Sequence, residues 1–246
     1  MSGHSKWNNI KGKKGKSDAA RSKIFTKIGR EIAVAVRSGG SDPDTNSSLY
    51  NIIAKAKMSN MPNDNISRSI KKASGELGNV VYESIIYEGY GIGGSAVILE
   101  CLTDNKNRTA GDIRSHFEKY GGSLGTSNCV SFMFERKGVI VVERLEGQTE
   151  DSWFELALEC GADDVMVEDE EVLMYTTPQA FDNVRNNLTD KKVVLISASV
   201  DWIPNNTIIL APDQLVRFNK MIDIMEDNDD VQNVYHNVEL PEVEEE

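Results

Sequence analysis

The chain has 246 residues, of which 39% are apolar and 27% are charged, and its formal net charge is −12. This composition is typical of folded globular proteins, and the length suggests two or three domains. No apolar run approaches the ~20 residues that a transmembrane helix needs, and the N-terminus lacks the apolar stretch of a secretory signal, so we expect a cytoplasmic protein with no membrane partner.

The N-terminal segment, residues 1–16, is rich in lysine and contains no acidic residue. Lysines at this density attract the phosphates of a nucleic acid. The candidate nucleic-acid contacts in this segment are Lys6, Trp7, Lys11, Lys13, Lys14 and Lys16. Trp7 has two interpretations, because an indole ring can stack on a base or pack within the fold.

Three short amphipathic helices are predicted next. The first runs from the N-cap Ser17 to Gly39–Gly40, the second ends before Pro62, and the third ends before Gly75. Their basic residues lie opposite the apolar stripe that forms the core of a small bundle. The candidate contacts among them are Arg21, Lys23, Lys27, Arg30, Lys55 and Lys57. The third helix also turns Arg68, Lys71 and Lys72 outward.

Charge is segregated along the chain. Residues 1–80 hold 15 Lys and Arg against 6 Asp and Glu, a net charge of +9, and the remaining residues carry −21. A basic region in an acidic protein favours a polyanionic partner that the rest of the chain repels. The alternative is a solvated charged face with no ligand.

Strands and helices alternate from residue 80 onward. We predict strands at residues 82–87, 96–102 and 130–135, with a helix at 110–120 before the third strand. Residues 137–203 follow the order β-α-β-β-α-β, which is the ferredoxin-like unit. A strand at 208–210, a helix at 212–225 and a strand at 231–238 complete the domain that this unit interrupts.

The elements together predict an α+β fold with three domains. An all-helical N-terminal domain, residues 1–78, is followed by two ferredoxin-like α/β domains. The second domain is discontinuous, comprising residues 79–136 and 204–246, and the third, residues 137–203, is inserted into it. The final residues, ELPEVEEE, form a short acidic tail.

Two polar motifs lie in this α/β part. Gly89, Gly91 and Gly94 have the G-x-G-x-x-G spacing of dinucleotide-binding loops, but a strand follows them instead of a helix, so a glycine-rich hairpin is the better interpretation. The motif TDNKNRT lies between a strand and a helix and contributes Lys106 and Arg108 as candidate contacts. Its other residues are equally suited to capping the helix and building the turn.

Catalytic and metal-binding patterns are missing from the sequence. The three cysteines lack C-x-x-C spacing and the three histidines lie far apart, so no disulfide framework, metal or cofactor is expected. The paired carboxylates at Asp163–Asp164 and Glu168–Glu171 fit a solvated hairpin, although such pairs also serve acid–base chemistry. We expect a protein that is not an enzyme.

Several long motifs resemble the YebC/PmpR family. They occur in order across essentially the whole chain: MSGHSKWNNIKGKKGKSDAARSKIFTKIGREI, NMPNDNISRSIKK, YEGYGIGG, TDNKNRTAGDIR and SFMFERKG. The resemblance implies a helical N-terminal domain and two α/β domains. Ile92 stands where the family pattern has proline, and Lys106 stands where arginine is common, which keeps the charge but loses the guanidinium fork.

The resemblance implies a cytoplasmic, DNA-binding transcriptional regulator. Other members, including mitochondrial relatives with a targeting extension, act in translation, and some bacterial members relieve ribosomes stalled on proline-rich stretches. Because this chain opens directly on the family motif, we expect a bacterial cytosolic member. The alternative function is therefore a ribosome-associated protein that binds ribosomal RNA or tRNA, and a second copy of the chain is a further candidate partner.

Overall fold

The computed structural model describes residues 18–76, 80–144 and 147–241, so the N-terminal segment, Ser17 and most of the acidic tail lie outside the described residues. The predicted α+β class is confirmed, because a helical region is followed by two antiparallel sheets. The chain divides into two compact units, Met1–Phe134 with Pro204–Glu246 and Glu135–Ile203. The division into three domains stays a prediction. Within the described ranges, no helix has the length and apolarity needed to cross a membrane.

The helical region comprises α1 (Asp18–Gly39), α2 (Ser47–Met58) and α3 (Asn63–Lys71), and a wider turn, Lys72–Glu76, continues α3. Asn46 joins the first two helices. Its side chain accepts a hydrogen bond from the Leu49 N–H at 3.1 Å, which caps α2, and it donates to the carbonyls of Ala35 and Gly40 at 2.8 Å. The core between the helices contains Ile28, Ile32, Leu49, Ala56 and Ile66.

The first sheet and its helices comprise β1 (Glu83–Tyr90), β2 (Ala96–Thr103), α4 (Lys106–Lys119), β3 (Ser123–Leu124), α7 (Pro212–Asp227) and β8 (Val231–His236). The strand order of the sheet is β3-β1-β2-β8. Strands β1 and β2 form the hairpin predicted at the glycine motif, and Gly93 and Gly94 take positive φ values of 68° and 78° in its turn. The helices α4 and α7 cover one face of the sheet, where Phe117, Phe218 and Met221 are fully buried.

The strand predicted at residues 130–135 is wrong. Ser131–Met133 forms a single helical turn, and the extended chain begins only at Phe134. The buried carboxylate of Glu88 accepts hydrogen bonds from the backbone N–H groups of Asn128, Val130 and Ser131, at 2.8, 2.9 and 2.8 Å. Because a side chain satisfies these donors, the segment folds as a loop and leaves the sheet ladder.

The strand predicted at residues 208–210 is also wrong. Only Ile208 pairs, in an isolated bridge with Val238. The N–H of Ile208 donates to the carbonyl of Asn237 at 2.8 Å, and the N–H of Glu239 donates to the carbonyl of Ile208 at 2.9 Å. Ile208 and Leu210 therefore pack against the core that contains α7 without adding a strand, whereas Ile209 is exposed.

The second unit contains β4 (Phe134–Glu143), α5 (Glu150–Cys160), β5 (Asp164–Val167), β6 (Glu171–Thr176), α6 (Phe181–Asp190) and β7 (Leu195–Pro204). Its strand order, β5-β6-β4-β7, is that of a ferredoxin-like unit. Both helices pack on the same face of the sheet, where Trp153, Val184 and Leu188 meet Ile140 and Met174.

Candidate nucleic-acid interface

The outer face of α3 is an exposed basic surface. Arg68, Lys71 and Lys72 are exposed, and the two lysines lie three and four residues after Arg68, so both are its neighbours on the helix surface. On the opposite face, Ile66 is buried against the bundle. None of the three cations forms an ion pair with another residue in the described ranges. We call these three residues the outer basic face.

Two further cations of the helical region are exposed in the same way. Arg37, in the last turn of α1, and Lys57, in the last turn of α2, form no ion pair within the described part of the chain. Lys57 and Arg21, which is also exposed, are among the predicted contacts. Arg37 is not among them, although its position in the last turn of α1 is a sequence signal that could have identified it.

The inner basic face of α1 comprises Lys23, Lys27 and Arg30, and it contacts the α/β part of the same unit. The Lys23 ammonium pairs with Asp227 at 2.7 Å, and the Lys27 ammonium donates to the Glu226 carbonyl oxygen at 2.8 Å. Both partners belong to the last turn of α7, where unsatisfied carbonyls and the helix dipole favour positive charge. These three predicted contacts therefore have intramolecular partners, and their binding of nucleic acid stays a prediction.

Arg30 contacts Asp230, the residue immediately before β8. Its guanidinium pairs with the Asp230 carboxylate and donates to the Leu102 carbonyl oxygen at 2.9 Å. The guanidinium also lies over the ring of Tyr82, 5.2 Å from its centroid. This contact ties α1 to the ends of two strands of the first sheet.

Asp230 is the centre of a polar cluster. Its side chain is only 5% exposed, and besides Arg30 it accepts hydrogen bonds from Arg108 at 2.8 Å and from the Thr109 hydroxyl at 2.7 Å. The Thr103 hydroxyl lies 3.3 Å from the same carboxylate. A buried carboxylate needs this number of donors, because an unpaired charge away from water is costly.

The hydrogen bonds of this cluster determine the charge state of Asp230. Burial alone would raise its pKa, but the donors Arg108, Thr109 and Arg30 outweigh burial and lower the pKa to about 2. Asp230 is therefore ionised throughout the neutral and mildly acidic range. The reciprocal effect raises the pKa of Arg108.

The TDNKNRT motif forms the first turn of α4 and the residues before it. Asn105 caps the helix by accepting a hydrogen bond from the Arg108 N–H at 3.1 Å, and its own N–H donates to the Thr103 hydroxyl at 2.9 Å. The capping interpretation of the motif is thus confirmed. Lys106 pairs with Glu83, and Arg108 pairs with Asp104 at 2.7 Å as well as with Asp230. Phosphate binding by these two residues stays a prediction.

The remaining predicted contacts fall into two groups. Lys55 pairs with Glu31 across the bundle at 2.7 Å. Six lie outside the described residues: Lys6, Trp7, Lys11, Lys13, Lys14 and Lys16. The structure also identifies a residue that sequence reasoning missed, Asp230, whose partner Arg30 is 200 positions away in the chain.

Acidic and metal-ligating side chains form no second site in the described chain. No group of three or more His, Cys, Asp or Glu residues has the geometry to hold a metal ion in those ranges. Two of the three free cysteines, Cys101 and Cys160, are buried, and burial raises the pKa of the Cys101 thiol to about 12. A thiol in that state is a poor nucleophile.

The comparisons with known proteins agree with one another over nearly the whole chain. Residues 5–76 match the family model described as the TACO1/YebC protein N-terminal domain, and residues 82–238 match the TACO1/YebC second and third domain. A probable transcriptional regulatory protein, ORF2U, of Hathewaya histolytica is 52% identical over 242 residues, 98% of each chain. One from Clostridium beijerinckii, also named a probable transcriptional regulatory protein, is 54% identical over 98% of each chain.

A solved structure has the same fold. The crystal structure of a conserved hypothetical protein, Aq1575, from Aquifex aeolicus superimposes with a TM-score of 0.82 and is 43% identical. The match covers 93% of this chain and 94% of that one. The likeness therefore extends over both compact units.

Proposed function

This chain belongs to the TACO1/YebC family, and the relatives that are similar to it are named as regulatory proteins. We propose that it is a regulator that binds nucleic acid through its helical region. The observation that carries the proposal is the outer basic face, where Arg68, Lys71 and Lys72 are exposed and lack ion-pair partners in the described chain. Cations that are already paired must exchange an internal partner for a phosphate, whereas these three need not. The protein acts in the cytoplasm and without catalysis in this proposal.

Duplex DNA is the leading ligand, because the relatives are named as transcriptional regulators. Lysine and arginine contacts to phosphate fix position on a duplex but do not read its sequence. Affinity would come mainly from the release of counterions, by the outer basic face together with Arg37, Lys57 and the lysines of the N-terminal segment.

Ribosomal RNA is the second candidate, and one observation favours it. The exposed side chains between Arg68 and Lys72 are all cationic, and these five residues include no Asn or Gln that could pair with a base edge. A surface of this kind is suited to the backbone and shape of a folded RNA as well as to DNA.

The test compares the intact chain with the variant Arg68→Gln/Lys71→Gln/Lys72→Gln. Binding to labelled duplex DNA is measured by fluorescence anisotropy over a range of salt concentrations. If the three residues contact phosphates, the slope of log K against log salt becomes shallower by about 2.7, at about 0.9 per phosphate. Thermal unfolding of the variant is expected to be unchanged, because the three side chains form no described ion pair.

The matched control is Arg114→Gln/Lys119→Gln/Lys220→Gln, which removes the same charge from exposed positions on α4 and α7. This control should keep the slope of the intact chain. Equal losses in the two variants would show that only the net charge matters, and the assignment of the outer basic face would then be rejected.

Sucrose-gradient fractionation of lysate, with and without nuclease, separates the two ligands. Migration of the intact chain with ribosomes, lost in the outer-face variant, would replace the DNA assignment with the RNA one. An intact chain that stays at the top of the gradient but binds duplex DNA at physiological salt supports the transcriptional role.

A further inference from the structure

The outer face of α5 exposes two large apolar side chains. Phe154 is 50% exposed and Leu158 is 78% exposed, and their spacing of four residues makes them neighbours on the helix surface. The inner face of the same helix buries Trp153, Ala157 and Cys160 in the core of the second unit. Phe154 and Leu158 are therefore available for contacts outside that core.

Acidic residues surround this apolar pair. Glu150, Asp151, Glu155 and Glu159 are exposed on the same helix, and Lys191 pairs with Glu159 at 2.8 Å. No lysine or arginine occurs between Arg144 and Arg185. The second unit holds sixteen Asp and Glu residues against six Lys and Arg residues, so its net charge is −10. Such a surface repels nucleic acid and attracts a basic partner.

We propose that this face of α5 binds the N-terminal segment, residues 1–16, of a second copy of the chain. The segment carries five lysines and no acidic residue, and its apolar residues Trp7 and Ile10 lie three positions apart. In this arrangement the lysines of the segment lie opposite the carboxylates of α5, and Trp7 and Ile10 pack against Phe154 and Leu158. The two surfaces are therefore complementary in both charge and hydrophobicity.

The contact is expected to be transient. One helix face and one short segment bury less area than a permanent dimer interface, and exposed ion pairs weaken with salt. The same lysines are part of the proposed nucleic-acid interface. In that respect the inference rests on the proposed function, because nucleic acid and α5 compete for the same segment. Self-association would therefore reduce binding of the protein to polyanions of low affinity.

Sedimentation velocity of the full chain tests the association. At low salt the sedimentation coefficient should rise with protein concentration, and in about 1 M salt, where the Debye length falls to about 3 Å, the rise should disappear. A chain that stays monomeric at low salt over the whole concentration range overturns the proposal. Association that is unaffected by salt overturns it as well, because charge complementarity would then have no part in it.

Variants locate the surface. Phe154→Ser/Leu158→Ser and Asp151→Asn/Glu155→Gln should each weaken self-association by about tenfold or more, equivalent to about 1.4 kcal/mol. The control Asp112→Asn/Glu118→Gln removes two exposed acids from α4 and should leave association unchanged. Because all six side chains are exposed, each variant is expected to keep its melting temperature. Undiminished association of the first two variants would reject this face of α5.

A synthetic peptide of residues 1–16 identifies the occupant. Added in excess, it should compete with self-association, whereas the same peptide with Trp7→Ser and Ile10→Ser should compete poorly. Association that depends on Phe154 but resists the peptide would assign the face to another part of the second copy. If the peptide competes while duplex DNA and ribosomal RNA both fail to bind the chain, the proposed function fails and the self-association stands.

Discussion

The inner basic face of α1 and the outer basic face of α3 have the same residue types at similar helical spacing, yet they differ in their surroundings. Lys23, Lys27 and Arg30 meet carbonyl and carboxylate groups of the last turn of α7 and the start of β8. The three cations of the outer basic face are exposed and form no ion pair within the described residues. One face fixes the helical region on the first sheet, and the other is available to a ligand.

This difference shows that a basic stripe on a helix does not by itself identify a nucleic-acid-binding surface. A positive side chain contributes to nucleic-acid binding only when it is not already neutralised within the protein. The neutralising groups of α1 come from a turn about 200 residues away, so a local pattern gives no indication of them. Each of the following predictions separates the anchoring role from the binding role.

Asp230→Asn is expected to have the largest effect. It removes the charge that compensates Arg30 and Arg108 in a buried cluster, and breaking such a pair lowers the free energy of unfolding by about 3 kcal/mol. Urea unfolding followed by circular dichroism measures the loss. The control, Asp229→Asn at the exposed neighbouring position, should change stability by less than about 0.5 kcal/mol. Similar losses in the two variants would contradict the role of the buried cluster.

Acid should weaken the same anchor. The pKa of Asp230 in the folded protein, about 2, lies below the ordinary value of 3.8, so its contribution is complete above about pH 4 and is lost as pH falls towards 2. The lost contribution is about 2 kcal/mol. Urea midpoints at several pH values should therefore fall more steeply for the intact chain than for Asp230→Asn. Parallel pH profiles would show that Asp230 does not titrate as the structure requires.

Lys27→Gln and Lys57→Gln sharpen the comparison, because each removes one positive charge. The first loses a charged hydrogen bond to the end of α7 and should lower the free energy of unfolding by about 1 kcal/mol while leaving the salt slope of DNA binding unchanged. The second should leave stability unchanged and make the slope shallower by about 0.9. Urea unfolding and anisotropy titrations measure both quantities, and a reversal of the two patterns would exchange the roles of the two surfaces.

Lys55→Gln should have the smallest effect. Its pair with Glu31 is partly exposed on the surface of the bundle, and pairs of this kind contribute about 0.5 kcal/mol or less. A double-mutant cycle with Glu31→Gln, read by thermal unfolding, measures the coupling directly. A coupling above about 1 kcal/mol would place this pair with the anchoring contacts.

The helices and most strands could be predicted because their signals are local. Apolar periodicity and the glycine and proline residues at helix ends located α1 to α3, and the β-α-β-β-α-β order identified the ferredoxin-like unit. The failure at residues 130–135 has a non-local cause. Glu88, about 40 residues earlier, provides the acceptor that keeps the segment out of the sheet, and Val130 and Phe132 alone are typical of a strand.

The candidate site was predictable in its charge but not in its pairing. The sequence correctly places Arg68, Lys71 and Lys72 on the outside of a helix, because Ile66 and Ile70 define the inside. It provides no reason to prefer them over Lys27 or Arg30. That choice depends on the position of Asp230, which is determined by the pairing of β8 with β2.

The pairing of β2 with β8 also determines the order in which the protein can assemble during synthesis. Val97 lies opposite His236, so the central hairpin of the first sheet lacks one neighbour until nearly the whole polypeptide has been made. The second unit is continuous in sequence, and its last strand is complete before α7 and β8 are made. Because Asp230 immediately precedes β8, α1 obtains its anchor in the same late step. A polypeptide that stops shortly before Asp230 therefore contains every strand of the second unit, while its basic helices still lack the residue that anchors them.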